Sequence, residues 1–303
     1  MGDYKAPVAE MKKIGEGIYG YLQPFVFYSS NAGLIAGEKE AVVVDSLTNK
    51  FMINGFLEQI KKITNTPVRF LINTHPHGDH TYTNHFFTEA TVICSAKCRE
   101  ETLNMPADQI DRAKKEVPTM SFDGAQDTPQ DLVFEKSLIL YQGKREIRIV
   151  CLGPGHSPSD TYVYLPEEKI VFCGDIVFSG TPPLSLAGSV FGHIDQLKTL
   201  ADLDAEIYVA GHGPVVGKDY VKDSRDFLVR QLEEIRQCFD KGMGLAQAAK
   251  TLTRDKKKFP AFPFFFSIAQ CARAYSEFRG EKPGRPLDIN LAELVNPPET
   301  KKE

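Results

Sequence analysis

Between residues 74 and 80 the chain reads Thr-His-Pro-His-Gly-Asp-His, which puts His75, His77, Asp79 and His80 within six positions. The whole chain of 303 residues holds only 7 histidines, so three in one loop is a concentration that a merely solvated surface does not call for. Imidazole nitrogen and carboxylate oxygen are suitable zinc ligands. His75 and His77 stand two apart, and an extended loop can turn both rings to one ion. Gly78 then lets the chain turn, so that Asp79 and His80 aim elsewhere. Two divalent ions need more ligands than one loop supplies, which sends the search downstream.

A site of this kind needs rigid elements to carry it. The loop follows Val68-Arg69-Phe70-Leu71-Ile72-Asn73, an apolar, strand-like run. The same device recurs three times. Gly155-His156-Ser157 follows Ile147-Arg148-Ile149-Val150-Cys151-Leu152, Gly174-Asp175 follows Lys169-Ile170-Val171-Phe172-Cys173, and Gly211-His212-Gly213 follows Ile207-Tyr208-Val209-Ala210. Each is a strand, a glycine and one side chain able to ligate. Strands hold such side chains rigidly, and glycine admits a close backbone approach.

With these four segments in this order, the chain resembles the metallo-β-lactamase superfamily over roughly residues 30–215. The resemblance implies an α/β fold, a four-layer αββα sandwich, with a dinuclear metal site at the sheet edges. It implies that His75, His77 and His156 hold one ion, that Asp79, His80 and His212 hold the other, and that Asp175 bridges them. Asp79 and Asp175 are then the expected catalytic carboxylates. Two zinc ions are the expected cofactors, with iron or manganese as alternatives. In that family an acidic residue at the position of Asp45 supports the metal loop from behind; a turn or helix-capping role suits Asp45 equally well. His85 and His193 lie outside the family pattern and are read as structural.

Composition narrows the function classes. A net charge of −4 gives no nucleic-acid footprint. No apolar run approaches the length of a membrane span. Residues 1–7 lack an apolar leader, and the six cysteines are scattered, so the expected compartment is the cytoplasm with reduced thiols. Cys151 and Cys173 read as buried thiols, and Cys94-x-x-x-Cys98 is a weak metal pattern. Residues 1–303 read as a single domain, with a core over about 12–217 and a helical C-terminal extension over about 218–295. The expected partner is a small-molecule substrate, with a homodimer as the base-rate oligomer.

Strands are predicted at residues 18–21, 25–28, 33–36 and 41–44, then a helix from Met52 to Ile63. Asp79 is expected to cap a short helix carrying Tyr82, His85 and Phe86. A short strand over 88–93 precedes two helices, 95–104 and 108–117, broken at Pro106; this charged arm reads as a solvated face. Residues 132–141 and 146–152 read as one hairpin, 161–165 and 169–172 as another. The uncharged stretch 178–191 follows Asp175 and is the predicted wall of a substrate pocket. Helices are predicted from His193, over 220–239, over 244–252 and over 267–278. Between the last two, residues 259–266 carry five phenylalanines. They suit core contact for the C-terminal helices, a dimer interface or a lid over an apolar pocket. Residues 296–303 read as a disordered tail.

Two zinc ions lower the pKa of a bound water to about 7 and so supply a nucleophile without a serine or cysteine. No Gly-x-Ser-x-Gly elbow and no Walker-type phosphate loop occurs. The expected reaction is attack of a metal-bridging hydroxide on the carbonyl of an ester, lactone or thioester, with β-lactams as a side activity. The resemblance favours this branch because the true β-lactamases usually lack the bridging aspartate. Phosphodiester or sulfate-ester hydrolysis, or iron-dependent redox chemistry on the same fold, are the competing expectations.

Overall fold

The alternation of side chains along the strands builds the layers. In a computed structural model, residues 9–24, 28–261 and 263–282 are described. Strands β1 (Glu10–Gly15), β2 (Ile18–Leu22), β3 (Ala32–Ala36), β4 (Ala41–Val44), β5 (Val68–Ile72), β6 (Thr91–Ser95) and β7 (Leu132–Phe134) form one sheet in that order. Strands β8 (Ser137–Gln142), β9 (Arg145–Gly153), β10 (Asp160–Leu165), β11 (Ile170–Phe172) and β12 (Ile207–Val209) form a second, ordered β12-β11-β10-β9-β8. Ile35, Val42, Val44 and Ile72 meet Ile149, Val163, Ile170 and Phe172 in a core between the sheets. Their odd-even neighbours Leu34, Val43 and Leu71 point the other way, onto Met52, Ile53, Phe56 and Ile60 of α1 (Lys50–Ile63). On the far side Tyr162, Tyr164, Val171 and Tyr208 pack under the remaining large helices. A period of two on each sheet, with both faces covered, is what makes four layers.

Helix α1 crosses from β4 to β5, which pair in parallel, and Asn49 caps it by accepting a hydrogen bond from the Met52 amide at 3.0 Å. The expected capping role of Asp79 is corrected. The single turn α2 (Gly78–Thr81) holds Asp79 inside its first turn, with His77 before it, and residues 84–86 form a separate 3₁₀ turn. Helices α3 (Ala96–Leu103) and α4 (Gln109–Glu116) form the charged arm, and the strand before them runs over 91–95 rather than 88–93. Helix α5 (Val190–Asp202) starts three residues before His193, because Ser189 accepts from the Gly192 amide at 2.9 Å and caps it there. Helices α6 (Lys218–Asp240), α7 (Leu245–Thr251) and α8 (Phe264–Phe278) complete the chain, with α6 and α8 packed on the second sheet side.

The run 132–141 is not one arm of a hairpin. Its first part pairs in parallel with β6 (Ile93 opposite Leu132), and its second pairs antiparallel with β9 (Leu140 opposite Ile147). The chain changes sheet at Glu135-Lys136, where the polar step Glu135-Lys136-Ser137 separates Leu132-Val133-Phe134 from Leu138-Ile139-Leu140. Strand β1, which lies ahead of the first strand predicted at 18–21, pairs with β2 through a bulge between Lys13 and Gly15. The predicted strand 25–28, save Tyr28, and the tail 296–303 lie outside the described residues, as do Phe262 and the N-terminal seven residues. Among the described residues no helix is long and apolar enough to cross a membrane.

Candidate metal centre

All four ligand-bearing segments leave the sheets at the same edge. Those of His75–His80, Asp175 and His212 follow β5, β11 and β12, and that of His156 follows β9. Two groups of side chains result, His75, His77, His156 with Asp175, and Asp79, His80, His212, each with its donor atoms within 4.8 Å of one another. Within the first, His77 Nδ1 lies 3.1 Å from His75 Nε2 and 2.9 Å from His156 Nε2. Asp175 Oδ2 lies 3.2 Å from His156 Nε2 and 3.3 Å from His212 Nε2, and its Oδ1 lies 3.2 Å from His80 Nε2. Asp79 Oδ2 is 3.3 Å from His212 Nε2. One carboxylate, Asp175, therefore touches both groups.

These spacings fit divalent ions. Ligands about 2.0–2.1 Å from a tetrahedral ion stand about 3.3–3.4 Å from each other, by geometry from the usual zinc–nitrogen bond. His80 Nε2 and Asp175 Oδ1 are buried without a hydrogen-bond partner among the described residues. Orphaned polar atoms aimed at one point are costly unless something charged satisfies them.

Outer contacts set which ring nitrogen faces inward. His156 Nδ1 donates to Leu184 O at 2.6 Å, and His212 Nδ1 donates to Ser29 O at 3.0 Å. His80 Nδ1 donates to Asp45 Oδ2 at 2.8 Å. A carbonyl or carboxylate acceptor on Nδ1 fixes the proton there and leaves Nε2 free to ligate. Asp45 also accepts from the Thr74 amide at 2.9 Å and its hydroxyl at 2.8 Å. Of its two predicted roles, the support of the metal loop is the one the structure shows; the cap of α1 is Asn49. Asp45 has φ +60°, a left-handed conformation that three bonds to one side chain hold in place.

Burial and charge oppose each other across the cluster. Desolvation holds His75 and His156 well below the usual imidazole range. At His80 and His212 desolvation acts the same way, but the Asp175 and Asp79 carboxylates, joined at His80 by Asp45, outweigh it and raise both. For Asp175 burial is outweighed by His212, His80 and His156, which hold it well below the carboxylate range.

Glycine is required at two of these strand ends. A Cβ on Gly211 would stand 2.0 Å from Asp175 Oδ1, and Gly174 has φ +51° with the Thr74 side chain 2.6 Å from where its Cβ would be. The decoy histidines stay outside. His193 is buried, its Nδ1 facing Ser185 Oγ at 3.1 Å and its Nε2 facing Ile176 O at 2.9 Å. His85 sits tilted on the Phe86 ring, 4.6 Å between centroids. The cysteines are all free thiols, and none belongs to the cluster.

A cavity of ≈ 590 Å³ opens over the cluster, bordered by His77, Asp79, His156, Asp175 and His212. Phe178, Leu184 and Leu186 form the predicted wall from the uncharged stretch. Phe178 stacks on the His212 ring, 5.3 Å away and 2° from parallel, and meets Phe266 edge-on. The phenylalanine-rich segment divides. Phe259 is core, packed on Phe227, while Phe265 and Phe266 begin α8 and line the cavity. The charged arm is not simply a solvated face: Lys97, Glu100, Glu101, Asn104 and Met105 line the cavity too. Sequence reasoning missed the segment 29–31. There Ser30 donates to Asp79 O, and Asn31 Nδ2 donates to Ala210 O at 2.9 Å and Gly213 O at 2.7 Å. Three small polar residues between strands were the signal available.

Comparison with known proteins agrees with this geometry. Beta-lactamase-like protein 2 homolog of Caenorhabditis elegans is 21% identical over 199 residues, 64% of this chain and 59% of that protein. Metallo-beta-lactamase type 2 of Elizabethkingia meningoseptica is 24% identical over 181 residues, 58% of this chain and 65% of its own length. The Bos taurus acyl-coenzyme A thioesterase MBLAC2 is 25% identical over 231 residues, covering 69% and 82%. The chain thus spans less than two thirds of the first two relatives. Among solved structures, the stereoselective inverting sec-alkylsulfatase Pisa1 from Pseudomonas sp. superposes with a TM-score of 0.72 at 14% identity, over 90% of this chain and 50% of that one. The family model described as the metallo-beta-lactamase superfamily matches residues 26–212, a span that contains every residue of the two clusters, and the chain belongs to that superfamily.

Proposed function

We propose that this chain is a zinc-dependent hydrolase that opens esters, lactones or thioesters with water as the nucleophile. One observation carries the reading. Among the described residues the cavity over the clusters is bordered by no serine, threonine or cysteine, so a seryl, threonyl or cysteinyl nucleophile does not reach a substrate there. Two divalent ions, when bound, polarise a carbonyl oxygen and bring the pKa of water to about 7. His75, His77 and His156 would hold one, Asp79, His80 and His212 the other, and Asp175 both. Asp79 borders the cavity 3.3 Å from His212 and is the carboxylate placed to pass a proton to the leaving group. The Phe178, Leu184 and Phe266 side chains take up an apolar acyl body and keep water from it. Among the described residues Lys97 is the sole lysine or arginine on the cavity wall, which suits a carbonyl better than a phosphate or sulfate ester. The thioesterase and β-lactamase relatives support the same class.

The test pairs metal content by mass spectrometry with a panel of lactones, thioesters, β-lactams, phosphodiesters and sulfate esters. About two zinc ions per chain and turnover confined to one carbonyl class is the expected result. Turnover confined to phosphodiesters or sulfate esters, or one iron with oxygen uptake and no hydrolysis, overturns it. Asp175→Asn is expected to weaken binding of both ions and to lower kcat/KM by at least about a hundredfold. Unchanged metal content and rate would remove Asp175 from its bridging place.

A further inference from the structure

We propose that the cavity selects acyl substrates that carry a positively charged group away from the reacting carbonyl, and that Glu101 is the side chain that reads this charge. The inference deepens the hydrolytic reading by naming the substrate class. It rests on the wall facing the apolar one.

Lys97, Glu100, Glu101 and Asn104 recur at helical spacing on α3, and all four border the cavity. Residues three and four apart share one face of a helix. That face is polar, while Phe178, Leu184, Phe265 and Phe266 make the other wall apolar. Lys97 Nζ is taken by Glu100 Oε1 at 2.9 Å, out toward solvent, where both side chains are about half exposed. Glu101 lies deeper. Its Oε2 accepts only the Ser159 hydroxyl, at 3.3 Å, and Ser159 belongs to the loop that carries His156. No lysine or arginine pairs with Glu101 among the described residues. Burial pushes its carboxyl up to about 7, against the pull of Lys97 and the Ser159 hydroxyl. A half-buried carboxylate with no cation in contact is satisfied when a ligand brings one. Glu116 of α4 borders the same cavity, so the arm presents three carboxylates against one ammonium. An anionic acyl terminus is repelled here, and a cationic one is held. A ligand that fits both walls has an apolar body, a carbonyl at the histidine cluster and an ammonium at α3.

A matched series tests this with the metal-loaded protein. Phenyl thioesters of acids of equal chain length would end in ammonium, hydroxyl or carboxylate. In parallel, binding of the matching non-hydrolysable ketones would be measured by calorimetry. The expected result is a preference for ammonium over carboxylate of about tenfold or more in kcat/KM, held mainly in KM, and the same order in ketone affinity. Glu101→Gln narrows the preference to within about threefold, and Glu101→Lys reverses it. Hydrolysis with no charge preference, or a preference unchanged in both variants, overturns the inference. If no thioester is cleaved, the ketones decide: a charge preference lost in Glu101→Gln sustains the selection while the hydrolytic reading falls. Equal ketone affinities remove both.

Discussion

Asp45 shows how much one side chain can organise. It is buried at the end of β4, in a left-handed conformation, and its two oxygens hold the Thr74 amide, the Thr74 hydroxyl and the His80 ring. Removing such an outer contact costs metal affinity about 10–100-fold in known sites. Asp45→Ala is therefore expected to lower the affinity of the Asp79, His80, His212 group by that factor, read by chelator competition, with a smaller change at the His75, His77, His156 group. Equal loss at both groups, or none, would refute the selective role. The converse holds for His85, which has no contact with either group. His85→Ala should leave metal content unchanged, and a lost ion would show that it ligates.

At the scale of elements, strand ends and helix starts set the tolerances. Gly211 passes so close to Asp175 that Gly211→Ala must push the carboxylate aside. Loss of metal content with the fold retained, seen by mass spectrometry and circular dichroism, is the expected outcome; a fully loaded Ala variant would contradict the close approach. Helix α5 supplies a pH prediction. Burial pushes the His193 imidazole from the ordinary 6.5 down to about 4, so the ring stays neutral in the fold. The unfolded chain takes up a proton in that interval that the folded chain refuses. The stabilising contribution is complete above pH 6.5 and is lost as pH falls toward about 4, roughly 3 kcal/mol in all. Unfolding free energy measured against pH should fall more steeply for the wild type than for His193→Asn across this interval. Parallel curves would mean that His193 is not held neutral.

Over the whole molecule, the C-terminal helices are tied to the site through aromatic contact. Phe266 of α8 meets Phe178, and Phe178 lies flat on the His212 ring. Phe266 is 4% exposed. Truncating a buried phenylalanine costs about 3–5 kcal/mol, so Phe266→Ala should lower the unfolding free energy by that order and widen the cavity. Denaturant unfolding checks the first effect, and a shift of acyl preference toward bulkier chains checks the second. A variant as stable as the wild type would show that the contact is slack.

The seven clustered side chains were legible in the sequence because four stand in one short loop after β5 and the other three each follow a strand and a glycine. The four-layer arrangement was implied by the family resemblance rather than read from the strand pattern. Other features depended on partners distant in the chain. The run 132–141 divides between two sheets because β6 pairs with its first part and β9 with its second, and the step Glu135-Lys136-Ser137 reads locally as a polar interruption within one strand as well as a crossing between two. The arm of α3 and α4 reads as a solvated face by charge, yet its position over the cluster makes it a cavity wall. Asp45 suited a cap or a support equally until His80 and Thr74, some 29–35 residues away, came to its oxygens. Local pattern sets what a segment can be, whereas burial and contact across the chain set what it is used for, because desolvation and pairing act only when the partners meet.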